Sequence, residues 1–111
     1  MMSQKTLIHA ISVPKTDKLW EVSNPITVQK KAFKYDDGLQ VYKSFKPDKK
    51  YMILNPETNK FVYFGSIDYE DFTKHKDEDR QQRYLRRATN MRGNWRDDKY
   101  SPNNLSIHLL W

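Results

Sequence analysis

The sequence predicts an α+β fold in which a small, largely antiparallel sheet is covered by helices. Two β-rich runs flank a turn and predict a β-hairpin at about residues 51–64. An arginine-rich segment predicts a helix at about residues 77–91, and a serine–proline pair predicts a short C-terminal helix after Ser101. A chain of 111 residues has the size of one domain. We therefore predict one domain overall, with its core in residues 51–111.

The first half of the chain, residues 1–50, is expected to form extended strands or an arm. Residues 7–13 form an apolar run, while residues 26–28 and 39–42 show the apolar and polar alternation of half-buried strands. Asp36, Asp37 and Gly38 precede the last of these segments and form a turn signal. Together these patterns predict short extended pieces in this half of the chain.

The hairpin prediction depends on the turn between its two apolar runs. Pro56 suits the first central position of a type I turn, and Asn59 tolerates the left-handed conformation of a bulge position. Gly65 follows the second run and is expected to end the strand.

The helix prediction depends on charge and on stop signals. Asp77, Glu78 and Asp79 fall in its first turn, where negative charge interacts favourably with the helix dipole, and Gly93 suits a position just past its end. After Ser101, the alternation of apolar and polar residues up to Trp111 also fits a strand. The serine–proline start signal favours a helix there.

The composition points to a binding protein. The net charge is +6, the chain contains no cysteine, and its three glycines make a glycine-rich phosphate loop an improbable feature. The N-terminal residues lack the pattern of a signal peptide, so we expect the protein to act in the cytosol, in the nucleus or within a particle.

Aromatic residues make up 14% of the chain, and we expect the core to be built from them rather than from aliphatic side chains. The alternative is that some of them are exposed and stack on single-stranded nucleic acid.

All the arginines of the chain lie within residues 80–96, where no acidic residue occurs. Helical periodicity places three of them on one face, beside a predicted core stripe of Tyr84, Leu85, Ala88 and Met91. This face therefore requires a counter-anion, either a phosphate backbone or acidic side chains of a partner. The alternative is neutralisation within the chain by Asp68, Glu70, Asp71 or Asp79. The candidate anion-binding or partner-binding residues are Lys74, Lys76, Arg80, Arg83, Arg86, Arg87, Arg92 and Arg96.

The segment before the arginine helix contains one histidine between two acids. Asp71, His75 and Asp77 are assigned to structuring this loop and the start of the helix. The same three residues form only a weak metal-site signal, because no second histidine follows at ligand spacing. We predict no catalytic residue, no metal and no cofactor.

Two resemblances to known families bear on function. The hairpin of residues 51–66 resembles that of the GIY-YIG endonucleases, although the Gly-Ile-Tyr motif is missing from its first strand. A longer resemblance covers about the last sixty residues. Its motifs are Lys50-Tyr51, Phe64-Gly65, His75-Lys76-Asp77, the arginine helix and the closing Leu109-Leu110-Trp111.

In these motifs the chain resembles a family of short, uncharacterised proteins of large double-stranded DNA viruses of eukaryotes. This resemblance implies a viral setting and no transferable catalytic activity. It leads to the hypothesis of a small basic virion protein, a minor capsid or internal component that cements larger proteins. The alternative is a nucleic-acid-binding protein that uses the arginine helix on phosphates, and a nuclease related to the GIY-YIG enzymes ranks third. We predict location in the virion, and in the host cytoplasm or nucleus during assembly.

Overall fold

The computed structural model describes residues 5–111, so the first four residues of the predicted arm lie outside the described residues. The fold is α+β, as predicted, with a three-stranded antiparallel sheet in the order β1-β2-β3. The strands are β1 Tyr42–Lys43, β2 Lys49–Leu54 and β3 Phe61–Ser66. The α-helices are α1 Leu19–Val22, α2 Pro25–Tyr35, α3 Phe72–His75, α4 Glu78–Thr89 and α5 Pro102–Leu105, which continues as a π-helical turn through Ser106–Leu110.

The predicted hairpin is confirmed by the pairing of β2 with β3. Tyr51 lies opposite Phe64 and Leu54 opposite Phe61 in the antiparallel register. Asn59 has a φ of 58°, the left-handed conformation predicted for it from the turn sequence. Gly65 does not end the strand, because β3 continues through it to Ser66.

The two predicted helices of the second half are also confirmed. The Asp77 side chain caps α4 by accepting hydrogen bonds from the amides of Asp79 and Arg80. Ser101 caps α5 in the same way, so the helical reading of the C-terminal segment is correct. The helix α4 ends two residues earlier than predicted. Met91 therefore lies outside it and is 54% exposed, which removes this residue from the predicted core stripe.

The strand expectation for residues 26–28 is wrong, because these residues lie in α2. The side chain of Asn24 accepts hydrogen bonds from the amides of Ile26 and Thr27, and Pro25 occupies the first helical turn. Residues 7–13 also contain no strand, only a 3₁₀ turn at Ala10–Ser12 and a single bridge between His9 and Tyr42. Of residues 39–42, only Tyr42 belongs to a strand.

One core receives side chains from both halves of the chain. Its members from the first half of the chain include Ala10, Leu19, Val28 and Val41. Its members from the second half come mainly from β2, β3 and the C-terminal segment. Most of these buried side chains are aliphatic, so the expectation of a mainly aromatic core is wrong. Within residues 5–111, no helix has both the length and the apolar character needed to cross a membrane.

Candidate functional site

A concave pocket of about 510 Å³ lies between α4, the sheet and the C-terminal segment. Strands β2 and β3, the loop before α3, the helix α4 with its arginines, and the segment after α5 all contribute to its lining. The lining residues are Lys50, Gly65, Ser66, Tyr69, Glu70, Arg80, Arg83, Tyr84, Arg87, Ser106, Leu110 and Trp111. We call this feature the arginine pocket.

The pocket collects the three arginines that helical periodicity placed on one face. Arg83 and Arg87 are exposed and Arg80 is half-buried. Among residues 5–111, the salt bridges join lysines to aspartates, and none of them involves an arginine. Neutralisation of these guanidinium groups by neighbouring carboxylates is therefore absent from the described part of the chain. Their positive charge is available to a ligand.

The acidic residues near the helix are held away from the pocket or already paired. Asp71 is fully buried against Lys50, and Asp77 caps α4. Glu78 and Asp79 are exposed in the first turn of the helix and do not line the pocket. Of the acids in this region, Glu70 is the one that lines the pocket. The fold therefore leaves one of these acids at the site.

The inner surface of the pocket rests on a buried polar network. The Lys50 ammonium lies 3.1 Å from an oxygen of Asp71, and the two side chains are 3% and 0% exposed. The other oxygen of Asp71 accepts hydrogen bonds from the amide and the hydroxyl of Thr73. The network then continues through Ser23, whose hydroxyl lies 3.2 Å from that of Thr73 and accepts a 2.7 Å bond from the Tyr51 hydroxyl. Burial lowers the pKa of Lys50, and the Asp71 carboxylate opposes this effect.

An aromatic wall closes one side of the pocket. The rings of Tyr84 and Trp111 are stacked, with centroids 4.2 Å apart and planes 9° apart. The Gln81 side chain donates a 2.7 Å hydrogen bond to the Trp111 carbonyl, and the His75 ring packs against the indole at 5.2 Å. These contacts fix the position of Trp111, because it is held by α3, by α4 and by its own segment. At the rim, the Tyr69 side chain is 69% exposed and unrestrained by burial.

His75 lies behind this wall rather than in the pocket. Its Nδ1 accepts a 2.9 Å hydrogen bond from the Asp77 amide, which places the proton of the neutral ring on Nε2. Burial and the nearby Arg80 charge lower the pKa of His75, so the ring is neutral at pH 7. Nε2 is buried without a hydrogen-bond partner. Within residues 5–111, His75 joins no cluster of three potential metal ligands.

Five of the predicted binding residues lie outside the arginine pocket. Arg96 stacks on Trp95 at 4.3 Å and donates a hydrogen bond to the carbonyl of Thr89, so its side chain is used within the fold. The remaining four are exposed and do not line the pocket: Lys74, Lys76, Arg86 and Arg92. The predicted loop-structuring residues Asp71 and Asp77 cap α3 and α4, and His75 accepts the Asp77 amide as described above.

Sequence reasoning missed the pocket residues outside the arginine helix. One feature of the sequence points to Lys50. It stands next to the apolar run of β2, which indicates burial, and a lysine is seldom fully buried without a partner. Tyr69 lies in a segment predicted only as a loop, and Glu70 enters the sequence prediction only as a neutralising carboxylate. Ser106 and Trp111 reach the pocket through the tertiary packing of the C-terminal segment, which no local pattern encodes.

Residues 39–88 match DUF5754, a family of unknown function. The matched stretch contains the sheet, α3 and most of α4, and therefore the Lys50–Asp71 pair and all three pocket arginines. It stops before the segment that supplies Trp111. The comparison thus supports similarity to an uncharacterised protein family, whereas searches of curated proteins and of solved structures give no match.

Proposed function

We propose that the protein binds single-stranded nucleic acid and that the arginine pocket is the binding site. One observation carries the proposal. Three arginines without a carboxylate partner in the described chain converge with aromatic side chains on one concave surface. Proteins that bind single strands combine these elements, since guanidinium groups contact phosphates and aromatic rings stack on unpaired bases.

The pocket offers both kinds of contact within a short distance. Arg83 and Arg87 are exposed at the pocket, where they are free to make bidentate contacts with phosphate oxygens. Tyr69 presents a largely exposed ring, and Trp111 presents a half-buried one that is fixed by its neighbours. A duplex would keep its bases stacked away from these rings. A single strand can place a base in the pocket.

The position of the acidic residues supports this choice over a capsid-cementing role. Acidic residues next to the arginines would repel a phosphate backbone and would therefore favour a protein partner. Asp71 is neutralised inside the fold, and Asp77 accepts the helix amides, so this objection applies only to Glu70 at the pocket itself. Membership of a virion, in which such a protein would contact packaged nucleic acid, stays a prediction. An acidic protein segment is the competing occupant of the pocket.

The proposal is tested by fluorescence anisotropy with a labelled oligothymidylate of about ten nucleotides, titrated at several salt concentrations. Three phosphate contacts predict a slope of log affinity against log salt of about −2, because each contact on a single strand contributes about −0.7. Arg83→Ala and Arg87→Ala are each expected to reduce the slope by about 0.7.

Arg86→Ala is the matched control, because Arg86 lies on the same helix, is exposed and does not line the pocket. It removes the same charge and is expected to change the affinity far less. Equal effects of Arg86→Ala and Arg87→Ala would contradict the proposal, since they would show attraction to the net charge rather than to the pocket. Binding of a polyglutamate peptide in preference to the oligonucleotide would identify the acidic protein segment as the occupant.

A further inference from the structure

The inner surface of the arginine pocket contains a buried lysine whose hydrogen-bonding capacity is only partly used. The Lys50 ammonium has three donors, and among residues 5–111 it hydrogen-bonds only to Asp71. The side chain is 3% exposed and lines the pocket. A buried ammonium is costly unless its charge and its donors are satisfied. The other two donors of Lys50 therefore lack an acceptor within the described residues.

The cationic lining of the pocket favours a strongly anionic group. Three arginines line it, while Lys50 and Asp71 cancel each other. A phosphate monoester carries a charge of about −1.5 to −2 at pH 7, whereas an internal phosphodiester carries a single negative charge. The monoester found at the end of a strand therefore interacts more strongly with the same arginines.

The shape of the pocket agrees with this assignment. Leu110 and Lys50 pack directly over Gly65, so that a β-carbon built on Gly65 would lie 2.9 Å from Leu110 Cδ1 and 3.2 Å from Lys50 Cδ. Lys50, Ser106 and Leu110 are buried and form the inner end of the pocket, while Tyr69 and the arginines Arg83 and Arg87 are exposed. An internal phosphodiester requires space for the chain on both of its sides. A strand end requires only the exposed side.

We propose that the inner end of the arginine pocket, at Lys50, binds the terminal phosphate monoester of a nucleic-acid strand. This inference rests on the proposed function and adds the recognised group to it. Arg87 and its neighbours would hold the phosphate from the helix side, and the adjoining base would stack near Tyr69 or Trp111. The same chemistry would recognise the phosphate of a free mononucleotide.

The experiment compares internally labelled oligothymidylates that carry a 5′-phosphate, a 3′-phosphate or no terminal phosphate. We expect one phosphorylated strand to bind at least about tenfold more tightly than the unphosphorylated strand, and the two arms identify the recognised end. Thymidine monophosphate is expected to compete with that strand, and thymidine is not. Arg87→Ala is expected to abolish the preference, and Arg86→Ala to retain it.

A second variant tests Lys50 directly without leaving a buried charge unpaired. The double replacement Lys50→Met with Asp71→Asn removes the donors and the charge of the pair together, and it is expected to abolish the preference for a phosphorylated end. Equal affinity for the three strands would overturn the inference and leave the proposed function standing. Failure of every strand to bind would overturn both. Retention of the preference in the Arg87→Ala protein would also overturn it.

Discussion

Replacement of Asp71 by asparagine removes one charge of the buried Lys50–Asp71 pair and leaves the lysine without a counter-ion. Both side chains are almost completely buried, so loss of the carboxylate leaves a poorly hydrated ammonium without a counter-charge. Breaking a buried pair in this way costs about 3–5 kcal/mol of unfolding free energy. Asparagine keeps an acceptor for the Thr73 amide, so the loss reports the charge rather than the helix cap.

The assay is urea denaturation at pH 7, followed by tryptophan fluorescence. Asp17→Asn is the matched control, because Asp17 pairs with Lys43 in a bridge whose side chains are 20% and 39% exposed. Exposed pairs contribute about 0–1 kcal/mol. The double variant Lys50→Met with Asp71→Asn is expected to lose less than the sum of the two single losses, because it buries no unpaired charge. An Asp71→Asn loss no larger than that of Asp17→Asn would refute this reasoning.

The pH dependence of the loss provides a second check. Burial lowers the pKa of Lys50, and the Asp71 carboxylate raises it. Removal of this carboxylate therefore lowers the pKa of Lys50 further. Above the folded-state pKa the unfolded chain binds more protons at Lys50 than the folded chain, so stability at this site rises with pH. The loss caused by Asp71→Asn is therefore expected to shrink between pH 7 and pH 9.5. A constant loss over this range would contradict the assignment to an unpaired ammonium.

Three further predictions concern packing and catalysis. Gly65→Ala is expected to cost about 1–3 kcal/mol in urea denaturation, because its β-carbon would collide with a leucine methyl group. Gly38→Ala has a similar positive φ but no atom within 4 Å, so a loss as large as that of Gly65→Ala would show that backbone strain alone is responsible. Leu109→Ala is expected to cost about 2–5 kcal/mol in the same assay, since Leu109 is fully buried, and an unchanged midpoint would contradict its place in the core. No nicking of supercoiled plasmid is expected in magnesium or manganese, and nicking that disappears in Glu78→Ala or His75→Ala would contradict this prediction.

The parts of the fold that the sequence predicted are those with local signals. The hairpin follows from Pro56 and Asn59, and α4 begins at the Asp77 cap. The helix α2 has the same kind of start as α5, an N-cap residue followed by proline, although the alternation of residues 26–28 predicts a strand there. An N-cap residue followed by proline is stronger evidence for a helix than an alternation of three residues is for a strand, because the cap satisfies free amides of the first helical turn.

The strand expectation for residues 39–42 is wrong because a side chain on α2 occupies the backbone groups that a strand would pair. The side chain of Gln29, on α2, donates to the Leu39 carbonyl and accepts from the Val41 amide, both at 2.9 Å. It therefore takes the place of a neighbouring strand and satisfies this backbone inside the core. A local pattern cannot show that a glutamine ten residues earlier provides these bonds.

The candidate site also has a part that local sequence signals predict and a part that they do not. Helical periodicity was sufficient to group Arg80, Arg83 and Arg87, because they lie on one element. The other sides of the pocket come from Lys50 and Trp111, which are sixty-one residues apart and meet only through tertiary packing. The sequence therefore indicated the charged face but not the concave shape that distinguishes a pocket from a solvated stripe.

The central claim is that nucleic acid occupies the arginine pocket, and the indole signals of the protein test it most directly. A proton–nitrogen correlation spectrum of the ¹⁵N-labelled protein resolves the three tryptophans separately. Trp111 lines the pocket, whereas Trp20 and Trp95 donate their indole hydrogens to the carbonyls of Val13 and Met91. On titration with single-stranded oligothymidylate, the account predicts a shift of the Trp111 signal that saturates with binding, while the other two stay in place. A saturating shift of Trp95 or Trp20 without one of Trp111 would contradict it.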